Sequence, residues 1–398
     1  MNRRNMLKTT IGAGVGTLAA PMMNFGSFQI SAASPTKYSA RAVDLVQRST
    51  VIDMLNPFSL YAVLADLTGE KAPTWFSDPA LFTEKDWQRF KNLGLNVLHI
   101  AVGTDTYEET LRFLATWNGF IAHHSDWLIR VDSPERLDAV KQSGKLGIIL
   151  GVQNSNHFRT PEDVNYFQSI GQRVSQLTYN ARNLIGTGST ERNDSAISDF
   201  GVTIIERMNK VGMAVDVSHC GDMTSLDACT VSKAPVLITH ANCRALSPHP
   251  RCKPDDVIKK VAATGGVMGI TGVRPFVKPA EPTTVENVLD HYDHVAKLVG
   301  VEHVGTGSDI DLDGYDALPE PIRKKLHAGY KASYGFRDKD DIEGLDHPQR
   351  SYDLAEGLIR RGYSDRDIEG ILGGNFKRVL AQVWNMRIPA QPKNGKAG

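Results

Sequence analysis

Short apolar segments alternate with longer amphipathic segments along most of the chain, and this alternation constrains the fold more than any other feature. A short apolar run predicts a buried strand, and the amphipathic stretch that follows predicts a helix covering it. Such runs occur at 50–54, 96–102, 146–152, 174–179, 213–217, 235–239, 267–271 and 303–308. Eight strand–helix units without a clear linker predict an α/β fold, a (β/α)8 TIM barrel. An open doubly wound sheet is the alternative.

The composition is that of a folded domain. The 398 residues include 45 basic and 45 acidic side chains, so the formal net charge is zero, and 41 % of the residues are hydrophobic. These values exclude global disorder, collagen-like sequence and a coiled coil. A protein that binds the phosphate backbone needs a clustered basic excess, so we expect no nucleic-acid partner.

The amino terminus resembles an export signal. Arg3 and Arg4 precede a weakly apolar, Gly/Ala-rich run at 9–23, and no acidic residue occurs before Asp44. We expect 1–33 to be a twin-arginine-type signal peptide, read by the twin-arginine export machinery, with the mature protein in the periplasm. A disordered basic arm is the alternative. No later segment is apolar enough to predict a stable membrane span.

The remaining boundaries follow from composition. We expect 34–386 to form a single barrel domain, with an insertion at about 311–348 that is charged and contains Pro and Gly. A segment of this kind after the last strand is typical of a lid or an oligomer contact. The Pro/Lys/Gly-rich stretch 387–398 predicts a disordered tail. The four cysteines lack C-x-x-C spacing, which favours buried thiols and leaves a disulfide open.

Polar residues gather where the predicted strands end, which is where barrel enzymes place their chemistry. His219 follows the fifth strand and His240 ends the sixth, 21 residues later. Imidazoles on neighbouring strands can share one metal ion. Asp309 follows the eighth strand, where a carboxylate can orient or deprotonate a metal-bound water. This pattern predicts one zinc ion, with Asp309 as a proton shuttle.

Other polar residues follow the third and fourth strands and the loop beyond His240. Gln153 is a further candidate metal ligand, and Tyr179 is a candidate acid–base group. Arg251 can hold a substrate carboxylate through a bidentate contact. Asn154 and Asn180 are candidate substrate-binding amides. The sequence contains no G-x-S-x-G elbow, Walker loop or H-E-x-x-H motif.

Several short segments together resemble the membrane dipeptidase (renal dipeptidase) family of metallopeptidases, whose members have an amidohydrolase-type barrel. They are QLTYN at 176–180, DVSH at 216–219, THANCRA at 239–245, HPR at 249–251, GSD at 307–309 with Asp311, and GGNFKRVL at 373–380. The resemblance implies that His219 and His240 bind one zinc of a two-zinc centre. It also implies that Arg251 contacts the substrate carboxylate, that Asp309 assists proton transfer, and that the protein is a homodimer.

The chain departs from the family pattern at the other zinc. The family's first strand ends in Asp-Gly-His-x-Asp, whereas Leu55 and Pro57 occupy the two ligand positions here. Gln153 stands in place of the bridging glutamate, and a neutral amide supplies no negative charge to offset the repulsion of two dications. A family histidine falls at or beside Tyr179. We therefore expect a divergent member without a binuclear centre, holding one zinc or none.

Three functions remain open from the sequence. The first is a metal-dependent, dipeptidase-like hydrolase of small peptides or amides, with Gln153, Asp309 or water completing the site at His219 and His240. The second is a barrel that has lost hydrolysis and binds a ligand or assists maturation of a secreted peptide. The third is a metal-free enzyme that uses Asp309, His219 and Tyr179 as acid–base groups.

Overall fold

Eight parallel strands form the centre of the molecule. The computed structural model describes residues 26–30, 36–60 and 74–386. The strands are β1 Ile52–Asp53, β2 Val97–Ile100, β3 Leu146–Val152, β4 Gln172–Gln176, β5 Ala214–Asp216, β6 Val236–Ala241, β7 Met268–Ile270 and β8 Val304–Thr306. Each strand pairs with the next in parallel, from β1 through β8.

A hydrogen bond joins the two edges of this sheet. The Met54 N–H, just after β1, donates to the Thr306 carbonyl of β8 at 2.9 Å. The Asp309 N–H donates to the Leu55 carbonyl at 2.8 Å slightly further along. The sheet therefore curves into a barrel, which confirms the predicted (β/α)8 fold and shows that the open-sheet alternative is wrong.

Helices follow the strands and cover the outside of the barrel. In the described part of the chain they span Ala40–Arg48, Glu84–Lys91, Tyr107–His123, Pro134–Ser143, Pro161–Ser169, Asp199–Val211, Asp222–Val231, Asp255–Ala263, Arg274–Val277, Val285–Val299, Glu320–Ala328, Arg350–Arg360, Asp365–Glu369 and Asn375–Asn385. Local signals set their ends: the Ser198 hydroxyl caps Asp199–Val211, and Gly212, with a φ of 71°, ends it in the left-handed region.

The barrel interior is apolar away from the strand ends. One buried cluster combines inward side chains such as Ile52, Val97 and Ile149 with Phe376 and Leu380 of the last helix. Strand side chains of the opposite parity, such as Leu98, belong to the larger cluster that includes side chains of the surrounding helices. This packing leaves the carboxyl ends of the strands to polar residues.

Two features were not predicted. The short strand Leu128–Arg130 pairs with β3, and helix Pro134–Ser143 follows it, so an extra strand–helix unit lies between β2 and β3. Near the amino terminus, Ser27–Phe28 pairs with Tyr38–Ser39. Of the predicted signal peptide, residues 26–30 are described and the rest lies outside the described residues, as does the predicted tail at 387–398.

The insertion at 311–348 lies over the carboxyl ends of the strands. It contains helix Glu320–Ala328 and a 3-10 turn at Ala332–Tyr334. Buried arginines on the body of the molecule anchor it: Arg274 donates to the Asp341 carbonyl at 2.8 Å, and Arg350 donates to the Asp311 carbonyl. The four cysteines are free and buried. Within the described ranges, no helix has the length and apolar character needed to cross a bilayer.

Candidate active site

A cavity of about 340 Å³ opens at the carboxyl ends of the strands, beneath the insertion. Four of the predicted site residues line it, namely Gln153, Tyr179, His219 and Asp309. His240 and Arg251 are both 0 % exposed and lie behind this lining. The residues predicted from the sequence therefore include four on the cavity surface and two, His240 and Arg251, that are buried beneath that surface.

His219 and His240 converge on each other. Their Nε2 atoms lie 2.9 Å apart, and their ring centroids lie 4.9 Å apart. Burial, with the positive charge of Arg251 nearby, holds the pKa of each imidazole well below its ordinary value. Both rings are therefore neutral near pH 7, which is the state that a metal ligand requires.

The outer hydrogen bonds of the two rings fix which nitrogen carries the proton. His219 Nδ1 lies 2.7 Å from Asn180 Oδ1, which also accepts a hydrogen bond from the Tyr334 hydroxyl. His240 Nδ1 lies 2.9 Å from the Thr239 hydroxyl, which itself donates to Asp216 at 2.6 Å. Each Nδ1–H is therefore the donor, and each Nε2 presents a lone pair. Two facing lone pairs repel each other, and a cation bound to both Nε2 atoms would remove that repulsion, so the donor type of this pair fits a metal ion.

The remainder of a two-metal centre does not fit. Leu55 is buried, Pro57 lines the cavity, and the Asn56 side chain bonds Asp53 and the Phe58 N–H. Across the residues that the structure describes, no group of three or more His, Cys, Asp or Glu side chains is arranged to hold a metal. A site with one ion, held by His219 and His240, is what these donors can supply.

Asp309 reaches the cavity from a strained position after β8. Its φ of 58° lies in the left-handed region, and its backbone N–H is held by the Leu55 carbonyl at 2.8 Å. Burial raises the pKa of the Asp309 carboxyl to about 7, although Arg251 and a hydrogen bond from Tyr315 act in the opposite direction. A carboxyl with a pKa near 7 can both accept and return a proton at neutral pH.

Tyr179 packs flat against His219. The two rings stack with centroids 4.2 Å apart and an interplanar angle of 20°. The Tyr179 hydroxyl lies 2.9 Å from the Tyr330 hydroxyl of the insertion. Burial raises the pKa of Tyr179 well above its ordinary value, so the phenol stays protonated. The arrangement holds the His219 ring in place and leaves the hydroxyl as a proton donor.

The predicted amides occupy different positions. Gln153 lines the cavity and donates through Nε2 to the Ala101 carbonyl at 3.0 Å. Asn154 is 3 % exposed, and its amide bonds Asp105 and Asn183, each at 3.1 Å. Asn180 orients His219 through its Oδ1 atom. These contacts give Asn154 and Asn180 supporting positions, so their predicted binding of substrate stays a prediction.

Arg251 is committed to backbone carbonyls. Its Nη2 donates to the His240 carbonyl at 3.1 Å, and its Nη1 donates to the Ser218 carbonyl. The guanidinium lies 5.5 Å from the centre of the Phe276 ring. Both terminal nitrogens thus bond the strand ends that carry the two histidines. The predicted contact of Arg251 with a substrate carboxylate stays a prediction.

Sequence reasoning gave no role to Asp216, which lies behind the two histidines, or to a further buried imidazole, that of His99. Asp216 accepts hydrogen bonds from Ser218 and Thr239, side chain and backbone alike. The available signal was the Asp-Val-Ser-His sequence at 216–219, in which the aspartate ends β5 three residues before His219. His99, in β2, bonds the Met54 carbonyl at 2.7 Å, and its buried Nε2 has no partner among the described residues.

The family model described as "Membrane dipeptidase (Peptidase family M19)" matches residues 40–325 and 336–394. The chain belongs to this family. Dipeptidase verJ of Clonostachys rogersoniana is 31 % identical over 284 residues, which cover 70 % of this chain and 66 % of that protein. Dipeptidase tcpJ of Claviceps purpurea is 27 % identical over 295 residues, which cover 73 % and 63 %. This membrane dipeptidase-family chain thus spans slightly less than two thirds of both curated relatives.

Solved structures agree with the barrel. An amidohydrolase from Pseudomonas aeruginosa is 28 % identical with a TM-score of 0.74, and the match covers 86 % of this chain and 99 % of that one. The probable dipeptidase PvdM, also from Pseudomonas aeruginosa, is 19 % identical with a TM-score of 0.69, and the match covers 87 % and 98 %. The second likeness shows a shared fold.

Proposed function

We propose that this membrane dipeptidase-family member is a hydrolase of small peptides or amides that uses one zinc ion, held by His219 and His240. The observation that carries the proposal is the 2.9 Å approach of the two Nε2 atoms at the wall of the cavity. Zinc bound there would supply a Lewis acid for the scissile carbonyl and a bound water of lowered pKa. A single ion is sufficient for that chemistry.

The surrounding residues move and hold protons. Asp309, with a pKa of about 7, accepts a proton from the attacking water and returns it to the leaving amine. The protonated Tyr179 hydroxyl can donate to oxygen that becomes negative during the reaction. Gln153 brings an amide to the same cavity, where its carbonyl oxygen can complete the ion's ligands. Each of these groups lines the cavity, so each can reach a bound substrate.

The size of the site and the names of the relatives support a dipeptide-like substrate. A volume of about 340 Å³ lies at the lower end of the range for small-molecule sites. Two relatives, verJ and tcpJ, bear the name dipeptidase. We extend that substrate class to this chain as part of the proposal.

Hydrolysis by the purified full chain tests the proposal. The protein would be treated with a chelator, reloaded with one equivalent of zinc, and assayed by mass spectrometry against a panel of dipeptides and dipeptide amides. We expect turnover only after reloading, and none in His240→Ala, whereas His123→Ala, which changes an exposed imidazole, keeps wild-type turnover. Turnover by His240→Ala equal to that of the wild type would contradict the proposal.

The residues that follow the first strand, β1, favour a second function. Pro57, at a position where the family pattern has a zinc ligand, and the nearby Leu60 give the cavity an apolar edge. A barrel that binds a ligand, or assists maturation of a secreted peptide, without hydrolysis would use such an edge. Tight binding of a peptide by the metal-loaded wild type, with no product formed over hours, would favour this function over hydrolysis.

We further propose that the chain is exported to the periplasm through the twin-arginine machinery. The supporting feature is the Arg3–Arg4 pair ahead of an apolar run in a segment without acidic residues. Cell fractionation of the wild type and of the Arg3→Lys/Arg4→Lys variant tests it. We expect the wild type in the periplasmic fraction and the variant in the cytoplasm, and equal distributions would contradict export by this route.

The resemblance to the family also suggests a homodimer, and we retain it as a proposal. Sedimentation velocity of the purified chain over a range of micromolar concentrations tests it. A species of twice the mass of 43.7 kDa per chain is expected, and a monomer at every concentration would overturn it.

A further inference from the structure

Six aromatic rings are among the residues that line the cavity. We call Tyr179, Phe276, Tyr315, Tyr330, Tyr334 and Phe336 the aromatic wall. Four of them come from the insertion at 311–348, so the wall is assembled by a segment outside the strand–helix units. Tyr315, Tyr330 and Phe336 are half-buried, which leaves part of their surface accessible within an otherwise packed region.

Four of the six rings of the wall contact one another, and Tyr179 stacks on His219. Tyr330 and Tyr334 have centroids 4.6 Å apart, and Phe336 lies 5.5 Å from each of them. Phe276 lies 5.6 Å from Tyr334 and connects the insertion to the barrel. These separations are those of favourable aromatic pairs. The surface is therefore formed before a substrate arrives, and little side-chain entropy is lost on binding.

The hydroxyl groups of the wall already have partners. Tyr179 and Tyr330 bond each other at 2.9 Å, and the Tyr334 hydroxyl donates to Asn180 at 2.7 Å. Tyr315 bonds Asp309. Because the hydroxyls of Tyr315, Tyr330 and Tyr334 are bonded within the protein, the wall offers a ligand mainly ring carbon. The Tyr179 hydroxyl can still donate to a substrate oxygen when Tyr330 is the donor of their shared bond.

Several apolar residues around the cavity extend this surface. Pro57, Leu60, Val102 and Leu326 also line it. The Asp340 carboxylate lines it too, but His327 bonds it at 2.7 Å. Stacking and burial of apolar area are the interactions that such a surface provides, and they favour a flat apolar group over a small or charged one.

We propose that the aromatic wall is a specificity pocket that binds an aromatic side chain of the substrate next to His219 and Asp309. This inference rests on the proposed function for its chemistry, because it names the substrate class of that site. The recognition itself needs only the wall, so it can be measured without turnover.

Binding of two peptide analogues by the full chain tests the pocket. The probes are Ala-ψ[CH2NH]-Phe and Ala-ψ[CH2NH]-Ala, in which a methylene replaces the scissile carbonyl so that neither is hydrolysed. Isothermal titration should give the phenyl analogue a Kd lower by about tenfold or more, because it buries one additional ring. Phe336→Ala should reduce that ratio to less than about threefold, and Tyr330→Phe, which keeps the ring, should preserve it.

The controls separate this inference from the proposed function. Tyr166→Ala, which removes an exposed ring elsewhere, should leave the ratio unchanged. If Phe336→Ala does not fold, Tyr330→Ala takes its place with the same expectation. Equal affinity of the wild type for both analogues, or an unchanged ratio in the ring-deleting variant, would overturn the pocket. A clear preference without hydrolysis of any dipeptide would sustain the pocket and overturn the proposed function.

Discussion

The guanidinium of Arg251 donates a hydrogen bond to the carbonyl oxygen of His240 at 3.1 Å. Its other terminal nitrogen donates to the carbonyl of Ser218, the residue directly before His219. One fully buried cation therefore ties together the two strand ends that carry the candidate zinc ligands. This relationship gives Arg251 a role in positioning the two imidazoles, and that role differs measurably from direct contact with substrate.

Replacing Arg251 by Met should weaken metal binding. The substitution leaves two buried carbonyls without their donor and frees the strand ends, so we expect zinc affinity to fall by about 10- to 100-fold. KM should rise alike for a free dipeptide and for its amide. Competition with a zinc indicator and steady-state kinetics measure both effects, with Arg360→Met as the surface control. A rise in KM confined to the free dipeptide would show that Arg251 pairs with the substrate carboxylate instead.

Removing the Asn180 amide should also reduce zinc affinity, by about 10- to 100-fold, because Asn180 Oδ1 fixes the proton of His219 on Nδ1. Asn180 has a φ of 60°, which alanine adopts at a cost of about 1 kcal/mol and glycine adopts freely. Zinc affinity should therefore fall equally in Asn180→Gly and Asn180→Ala. The free energy of unfolding measured in urea should be lower in the alanine variant than in the glycine variant. Wild-type zinc affinity in the glycine variant would contradict the positioning role.

The pH dependence of stability should reveal the buried Asp309 carboxyl. Its pKa is raised to about 7 in the folded protein from 3.8, so the folded state binds this proton more tightly than the unfolded state does. The resulting stabilisation is present at low pH and is lost as pH rises from about 4 through 7. Urea unfolding of chelator-treated protein measures this effect. Between pH 5 and pH 8, the free energy of unfolding of the wild type should fall by roughly 1–3 kcal/mol more than that of Asp309→Asn. Equal losses would place the Asp309 pKa near its ordinary value.

Much of the barrel could be predicted because its determinants are local. The run at 146–152 coincides with β3, Leu146–Val152, and the other predicted strands overlap their observed counterparts. Their carboxyl ends then had to share one rim, which is why His219, Asp309, Gln153 and Tyr179 could be expected together before their distances were known. The additional strand Leu128–Arg130 was missed because a run of three residues is too short to show a strand pattern.

The parts that the sequence did not predict depend on long-range packing. The insertion carries Tyr330, Tyr334 and Phe336, whose spacings of four and two residues fit no single helix or strand period. Their convergence on the cavity becomes visible only once the segment folds over the strands. The commitment of Arg251 to two carbonyls is likewise invisible in HPR at 249–251. The type of each side chain is known from the sequence, whereas tertiary contacts set the direction in which the side chain points.

The number of metal ions per chain tests the central claim most directly. The full chain, purified without added metal or chelator, would be analysed by inductively coupled plasma mass spectrometry beside His219→Ala, His240→Ala and His123→Ala. We expect about one zinc in the wild type and in His123→Ala, and less than about 0.1 in the other two variants. Two results would contradict the account. One is a wild type that holds no metal even after incubation with zinc, and the other is a His219→Ala or His240→Ala variant that keeps its metal.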